Sequence, residues 1–249
     1  MSSGNKNIYE QLYRALSHQI EMGIDEVIVS KSDPQQSLAS KEQTVSPLMG
    51  IKMDLFAQNA QKDELHYESL ESHYQAIRDC QLCPLAKTRN KFVYGAGNPH
   101  ADIMFIGEAP GADEDRLGEP FVGRAGQLLD RILAAIQFSR NDVYIANILK
   151  CRPPNNRDPL PEEMEKCFPY LYEQIRLIQP KLICALGRIA AQALLKTSTP
   201  LGRLRQRWHD FEGIPLLVTY HPAALLRFQA YKKDTWEDMK MLKARWSSL

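Results

Sequence analysis

Four short apolar runs alternate with helix-patterned segments, and this alternation limits the possible fold more than any other feature of the chain. The runs are Ala101–Gly107 (ADIMFIG), Asp142–Leu149 (DVYIANIL), Pro180–Leu186 (PKLICAL) and Ile214–Tyr220 (IPLLVTY). After the first comes a stretch with Ala125, Leu128, Leu129, Ile132, Leu133 and Ile136 on one helical face. After the second, Pro161 and two glutamates open a helix that runs to about Ile178. An Ala/Leu helix follows the third run over Gly187–Leu195, and a last helix covers Thr235–Trp246, with Trp236, Met239, Leu242 and Trp246 as its core face. Strands that alternate with helices form a parallel sheet covered on both faces. The expected fold is therefore α/β: a three-layer α/β/α sandwich around a central, mainly parallel four-stranded sheet.

Ligands of such sheets bind beyond the carboxyl ends of the strands. The glycine-rich stretch 107–126 lies there, after the first run, with five glycines, two prolines and several carboxylates in twenty residues. Glycine permits close backbone approach and positive φ, and proline fixes turns. The helix that follows adds positive potential at its N-terminus. Asn147, Lys150 and Cys151 end the second run, Gly187 ends the third, and His221-Pro222 ends the fourth. Four separate segments should converge on one edge of the sheet.

The chain has 249 residues, enough for one domain and an extension. Formal net charge is +1, so any contact with nucleic acid must come from a local basic patch. No apolar run is long enough to span a membrane, and MSSGNKNIYEQLYRAL lacks the apolar core of a signal peptide, so a cytoplasmic location is expected. Residues 1–27 read as a helical extension, with Ile8, Leu12, Leu16 and Ile20 spaced four apart as a surface for the body or for another protein. Residues 28–64 read as a polar flexible linker, and 65–249 as the folded domain, its first helix at 65–80. His18, His66 and His73 read as surface residues.

Five cysteines in such a chain argue for thiol or metal chemistry rather than a disulfide framework. Cys184 sits in an apolar strand and reads as an inert core thiol. Cys80-x-x-Cys83, Cys151 and Cys167 are left as a tetrathiolate set. Zinc and an iron–sulfur cluster both accept four cysteines, and spacing does not separate them.

GEAPGADEDRLGEPFVGRAGQLL, NILKCRPPNNRDP and HPAALLR, in this order and with the four cysteines, closely resemble the family 4 uracil-DNA glycosylases, bacterial and archaeal iron–sulfur enzymes. The resemblance covers about residues 75–249 and leaves the N-terminal part out. It implies a 4Fe–4S cluster on Cys80, Cys83, Cys151 and Cys167. It also implies hydrolytic release of uracil from single- or double-stranded DNA in base excision repair. A monomer used at the nucleoid is expected.

Uracil in a duplex must be flipped out before it can react. Phe121 would stack on the base. The Asn147 amide would donate to O4 and accept from N3–H, a pattern that cytosine inverts. His221 would donate to O2 as negative charge develops there. Glu108 would position water or stabilise the sugar cation. Glu114 is expected near the 5-position of the base, and Ala109 is expected to offer backbone contacts. Arg152, Arg157, Arg203, Arg205, Arg207 and Arg227 form the expected phosphate rim, with Leu225 as a wedge in the gap left by the flipped base. Ala223 stands where relatives often have Ser.

Other readings account for less. A DNA-cross-linking relative would need a histidine after the second strand, and none occurs between His100 and His209. A non-catalytic iron–sulfur or zinc DNA-binding module would not need the set Glu108, Phe121, Asn147 and His221. A phosphate-binding loop would need the Gly-Lys-Ser/Thr or GxGxxG pattern, which is absent.

Overall fold

All four apolar runs form strands in the computed structural model, which describes residues 67–249. The N-terminal extension and the whole linker expected from the sequence, with the first two residues of the expected domain, lie outside the described residues. The expected strands are β2 (Ile103–Gly107), β3 (Tyr144–Asn147), β4 (Leu182–Leu186) and β6 (Ile214–Thr219). They pair in parallel in the order β3-β2-β4-β6. Register sets Gly107 beside Asn147 and Leu186 beside Thr219, so the ends of all four strands share one edge.

Two antiparallel edge strands widen the sheet to six, against the four expected. β1 (Ala96–Gly97) pairs with β3, and β5 (Trp208–Phe211) pairs with β6. Neither carries a strand signal in sequence. β1 is two residues long, and β5 (WHDF) lacks an apolar alternation. A tight turn through Glu212 and Gly213, both at positive φ, closes the β5–β6 hairpin.

The helices cover both faces. Met104, Ile106, Ile183, Ala185, Leu216 and Val218 face α4 (Pro161–Ile178) and α5 (Arg188–Leu195). Ile103, Phe105, Leu182, Cys184 and Leu217 face α3 (Arg124–Ala135) and α8 (Tyr231–Trp246). This alternation is the period-2 geometry of buried strands. Cys184 is a fully buried core thiol. On α8, Met239 and Leu242 are buried and Trp246 is half-buried, but Trp236 is 43% exposed and is not a core residue.

The first helix, α1 (Leu70–Ile77), is shorter than expected because Ser69 and Ser72 form a capping box that fixes its start. It packs beside α4 in a third cluster with Leu85, Phe92, Tyr94, Leu149, Cys151 and Cys167. His73 belongs to this corner and is 1% exposed rather than a surface residue. Its Nδ1 lies 2.9 Å from the Tyr94 hydroxyl, and burial lowers its pKa to about 4. Two short helices complete the carboxyl edge of the sheet: α2 (Ala112–Leu117) in the glycine loop and α7 (Pro222–Arg227) after β6. The remaining helix, α6 (Leu201–Leu204), lies against the α4–α5 side.

Candidate active site

A cleft of about 380 Å³ opens at the carboxyl edge of the sheet. Its walls come from the segments singled out in sequence: Glu108, Ala109, Glu114 and Phe121 from the glycine loop, Asn147 from β3, Gly187 and Arg188 after β4, and His221 after β6.

The glycine loop is held by its own carboxylate. Glu114 accepts from the backbone N–H groups of Gly111 (3.1 Å), Val122 and Gly123 (both 2.9 Å). It lines the cleft, but its oxygens are occupied in fixing the loop. The loop presents Phe121 at φ +54, a conformation that costs a non-glycine residue roughly 1–3 kcal/mol and clusters at functional sites. Arg140 opposes that strain. Its guanidinium donates to the Pro120 carbonyl (3.0 Å) and, more closely, to that of Phe121, and its Nε pairs with Asp130 at 2.6 Å. A Cβ at Gly126 would collide with the Phe121 carbonyl, so the turn requires glycine there.

Asn147 ends β3 with its amide over Gly107, where a Cβ would meet both Asn147 Oδ1 and the Phe121 ring. Its side chain is buried, and Oδ1 has no hydrogen-bond partner. An unsatisfied buried acceptor costs about 1–3 kcal/mol, so this atom is poised for a donor from a ligand. The ring of Phe121 lies 5.4 Å from that of His221, tilted by 33°.

His221 caps α7, and its Nδ1 accepts from the Ala223 N–H at 3.2 Å. Burial, helped by Arg227, lowers its pKa to about 4. The imidazole is therefore neutral at pH 7. Because Nδ1 accepts, its proton sits on Nε2. Gly187, at φ +93, leaves room for this ring, since a Cβ there would lie 2.9 Å from the Cβ of His221. Glu108 has the opposite character. Burial, with Asp158 nearby, raises its pKa to about 7, and Arg188 partly offsets this. Arg188 itself donates to Asp158 at 2.6 Å.

The expected rim is only partly present. Arg227 lines the cleft and is exposed, and Arg152 is half-buried with Nε on Asn156 Oδ1 at 2.8 Å. Arg157 lines the cleft with its guanidinium forked onto buried Glu163 at 2.6 and 2.8 Å. Arg205 is a correction. It is buried, bonded to Asp238 at 2.8 Å and set 4.2 Å over the Tyr220 ring, so it braces the chain before His221 and cannot reach a phosphate. Leu225 is a second correction. It is 1% exposed in the core, because α7 turns it inward, and Leu226 is the exposed leucine of that helix. Arg140, Asp158 and Arg188 were missed. Each acts through a partner distant in sequence, and no local pattern marks them.

The four expected cysteines meet in the third cluster. Cys80 and Cys83 are half-buried, Cys151 and Cys167 are buried, and all four are free thiols. Donors surround the sulfurs. Leu82 N–H and the Tyr170 hydroxyl donate to Cys80 (3.4 and 3.3 Å), Arg89 to Cys151 (3.4 Å), and Lys150 N–H to Cys167 (3.3 Å). Burial pushes the Cys167 thiol up to about 12. Among the described residues, no three His, Cys, Asp or Glu side chains close on a single point in the way one metal ion requires.

A parallel sheet with this cleft at its carboxyl edge defines an α/β protein with a candidate ligand site at its strand ends. Residues 94–240 match the family described as the uracil DNA glycosylase superfamily. The chain belongs to that superfamily and, within it, to the type-4 uracil-DNA glycosylases. It is 45% identical to the type-4 uracil-DNA glycosylase of Archaeoglobus fulgidus over 183 residues, 70% of this chain and 92% of the relative. It is 43% identical to that of Pyrobaculum aerophilum over 69% of this chain and 92% of the relative. With the enzyme of Thermotoga maritima, identity is 39% over 71% of this chain and 94% of the relative.

Proposed function

We propose that the cleft hydrolyses the N-glycosidic bond of uracil in DNA, releasing free uracil and leaving an abasic site for repair. The observation that carries the assignment is the unpartnered Oδ1 of Asn147 beside the Phe121 ring, facing a neutral histidine. A flipped uracil stacks on Phe121 and satisfies Oδ1 with its N3–H, while the Asn147 amide donates to O4. Cytosine has no N3–H and would leave Oδ1 buried and unpaired.

His221 donates from Nε2 to O2 of uracil. The C1′–N1 bond breaks, its electron pair leaves with the base, and the hydrogen bond to O2 strengthens as charge accumulates there. A neutral donor suits this task, because the site need not hold a buried cation before the reaction. Glu108 orients a water against C1′. As the new C1′–O bond forms, the water's proton passes to its carboxylate, whose pKa of about 7 suits the transfer near neutrality. Glu114 and Arg140 act by fixing the loop that carries Phe121. Arg152, Arg157, Arg227 and exposed Leu226 are proposed to contact the DNA strand, and Ala109 to offer backbone contacts.

Cys80, Cys83, Cys151 and Cys167 are proposed to hold a 4Fe–4S cluster. The all-thiol donor set, its surrounding N–H and O–H donors and the family support it. When bound, the cluster supplies a structural cross-link between α4, the segment after β3 and the loop after α1. Among the described residues no helix is long and apolar enough to cross a membrane. Incubation with uracil-containing single- and double-stranded DNA, followed by alkali, should cleave the strand at uracil. Intact DNA after treatment with iron-loaded protein would overturn the assignment.

A further inference from the structure

One buried cation lies outside the chemistry above. Lys150 is fully buried, three residues after Asn147 and directly before Cys151. Each of its polar groups is engaged. The Nζ donates to the Asn147 backbone carbonyl at 3.0 Å and to Gln174 Oε1 at 2.5 Å. Its N–H donates to Cys167 Sγ at 3.3 Å, and its carbonyl accepts from Val93 N–H at 2.9 Å. Gln174 is held in turn, since its Nε2 donates to the Tyr94 carbonyl (3.0 Å) and the Tyr144 hydroxyl (3.3 Å). Gln174 and Cys167 both belong to α4, so one helix fixes both ends of this lysine.

A buried ammonium is costly unless its donors are used, and a hydrophobic residue of similar length would fill the space without that cost. The lysine must therefore do something that packing alone does not. The chain leaves the sheet at Asn147, the last residue of β3. Beyond it Ile148 and Leu149 donate to the Gly107 and Glu108 carbonyls at 2.9 and 3.0 Å. The Asn147 carbonyl takes its hydrogen bond from the lysine head. The same peptide unit is held on its other side by the Ile148 N–H on Gly107, so the lysine bond completes a two-point grip on the peptide after Asn147, next to the side chain whose Oδ1 waits in the cleft.

We propose that Lys150 is a positioning residue for base recognition, linking the thiol corner to Asn147 so that its amide is held ready for uracil before the base arrives. The proposal rests on the assignment of Asn147 as the uracil reader. It predicts that the thiol corner contributes to selectivity through one side chain.

The test uses the full chain with its cluster and two substitutions, Lys150→Met and Asn147→Ala, alone and combined. Lys150→Met should lower single-turnover uracil release by roughly 10–100-fold, the range found when the residue supporting a functional ligand is removed. In the Asn147→Ala background the same change should cost less than about threefold, because a residue that acts through another loses its effect when that residue is gone. A second readout is binding to DNA bearing non-cleavable 2′-fluoro-2′-deoxyuridine or its thymine counterpart. Lys150→Met should shrink the preference for the uracil analogue and leave affinity for the thymine strand unchanged. Equal losses in both backgrounds, or an unchanged preference, would overturn the proposal. If Lys150→Met fails to fold, Lys150→Gln applies the same test, since its shorter polar side chain withdraws the ammonium from the Asn147 carbonyl and keeps a hydrogen-bonding head for Gln174. Failure of wild-type protein to release uracil would instead overturn the assignment of function, so the two failures are distinct.

Discussion

The cleft and the thiol corner lie at opposite ends of Lys150, and they treat polar atoms in opposite ways. In the cleft, Asn147 Oδ1 has no partner, Phe121 holds a strained backbone, His221 is neutral and Glu108 resists ionisation. In the corner, Cys80, Cys151 and Cys167 each accept from a nearby donor, and Arg89 also donates to the Cys80 carbonyl at 2.7 Å and to the Arg78 carbonyl at 3.2 Å. A site that turns over ligands keeps unsatisfied groups for them to complete. A site that holds a permanent group surrounds it with fixed donors. On the proposed assignments, the first would lower stability for the sake of function, and the second would contribute stability to the domain.

Separate perturbations should break this contrast apart. The largest effect is expected from His221→Ser, which keeps an oxygen to cap α7 but removes the donor to O2. Uracil release should fall by about 10²–10³-fold, as when an oxyanion donor is lost. The thermal midpoint and the absorbance near 400 nm should not change, and a drop in either would merge the two regions. Cys167→Ser should do the reverse. The absorbance should be lost, and the midpoint should fall by about 2–4 °C for each kcal/mol of lost binding energy. The activity of the remaining folded fraction should fall less than in His221→Ser, and stoichiometric zinc without iron in the wild type would overturn the cluster.

The smallest effect concerns pH. With Glu108 active as the carboxylate, the rate should rise with pH and level off above about 7. His221, neutral above about 4, should add no limb between pH 5 and 9. Asp158→Asn removes a like charge that disfavours ionisation of Glu108, so the limb should move to lower pH. For an exposed charge the shift should be roughly 0.2–0.7 of a unit, on the scale of surface charge interactions. A limb that stays in place would dissociate Glu108 from the pH dependence.

These tests also mark what could be read before folding. The parallel core was legible because apolar runs and helical periodicity depend on local sequence. The edge strands were not, since two residues at 96–97 and the unpatterned run WHDF at 208–211 are recruited by pairing with a neighbour. That Asn147 and His221 would meet the glycine loop carrying Phe121 was legible because chain order places strand ends on one edge. Arg205 was misread, since its partner Asp238 lies on a helix that sequence cannot bring against it. Leu225 was misread because the phase of a single helical turn decides between it and Leu226.

By itself, the sequence determined the α/β alternation, the four thiols, the glycine loop and the residues at each strand end. Only the tertiary structure decided which arginines line the cleft, which one is buried against Asp238, and which leucine faces out. It also left the Asn147 oxygen without a partner and set Lys150 between the two sites. These outcomes depend on burial and on partners tens of residues away. Desolvation and long-range hydrogen bonds exist only once the chain has closed on itself.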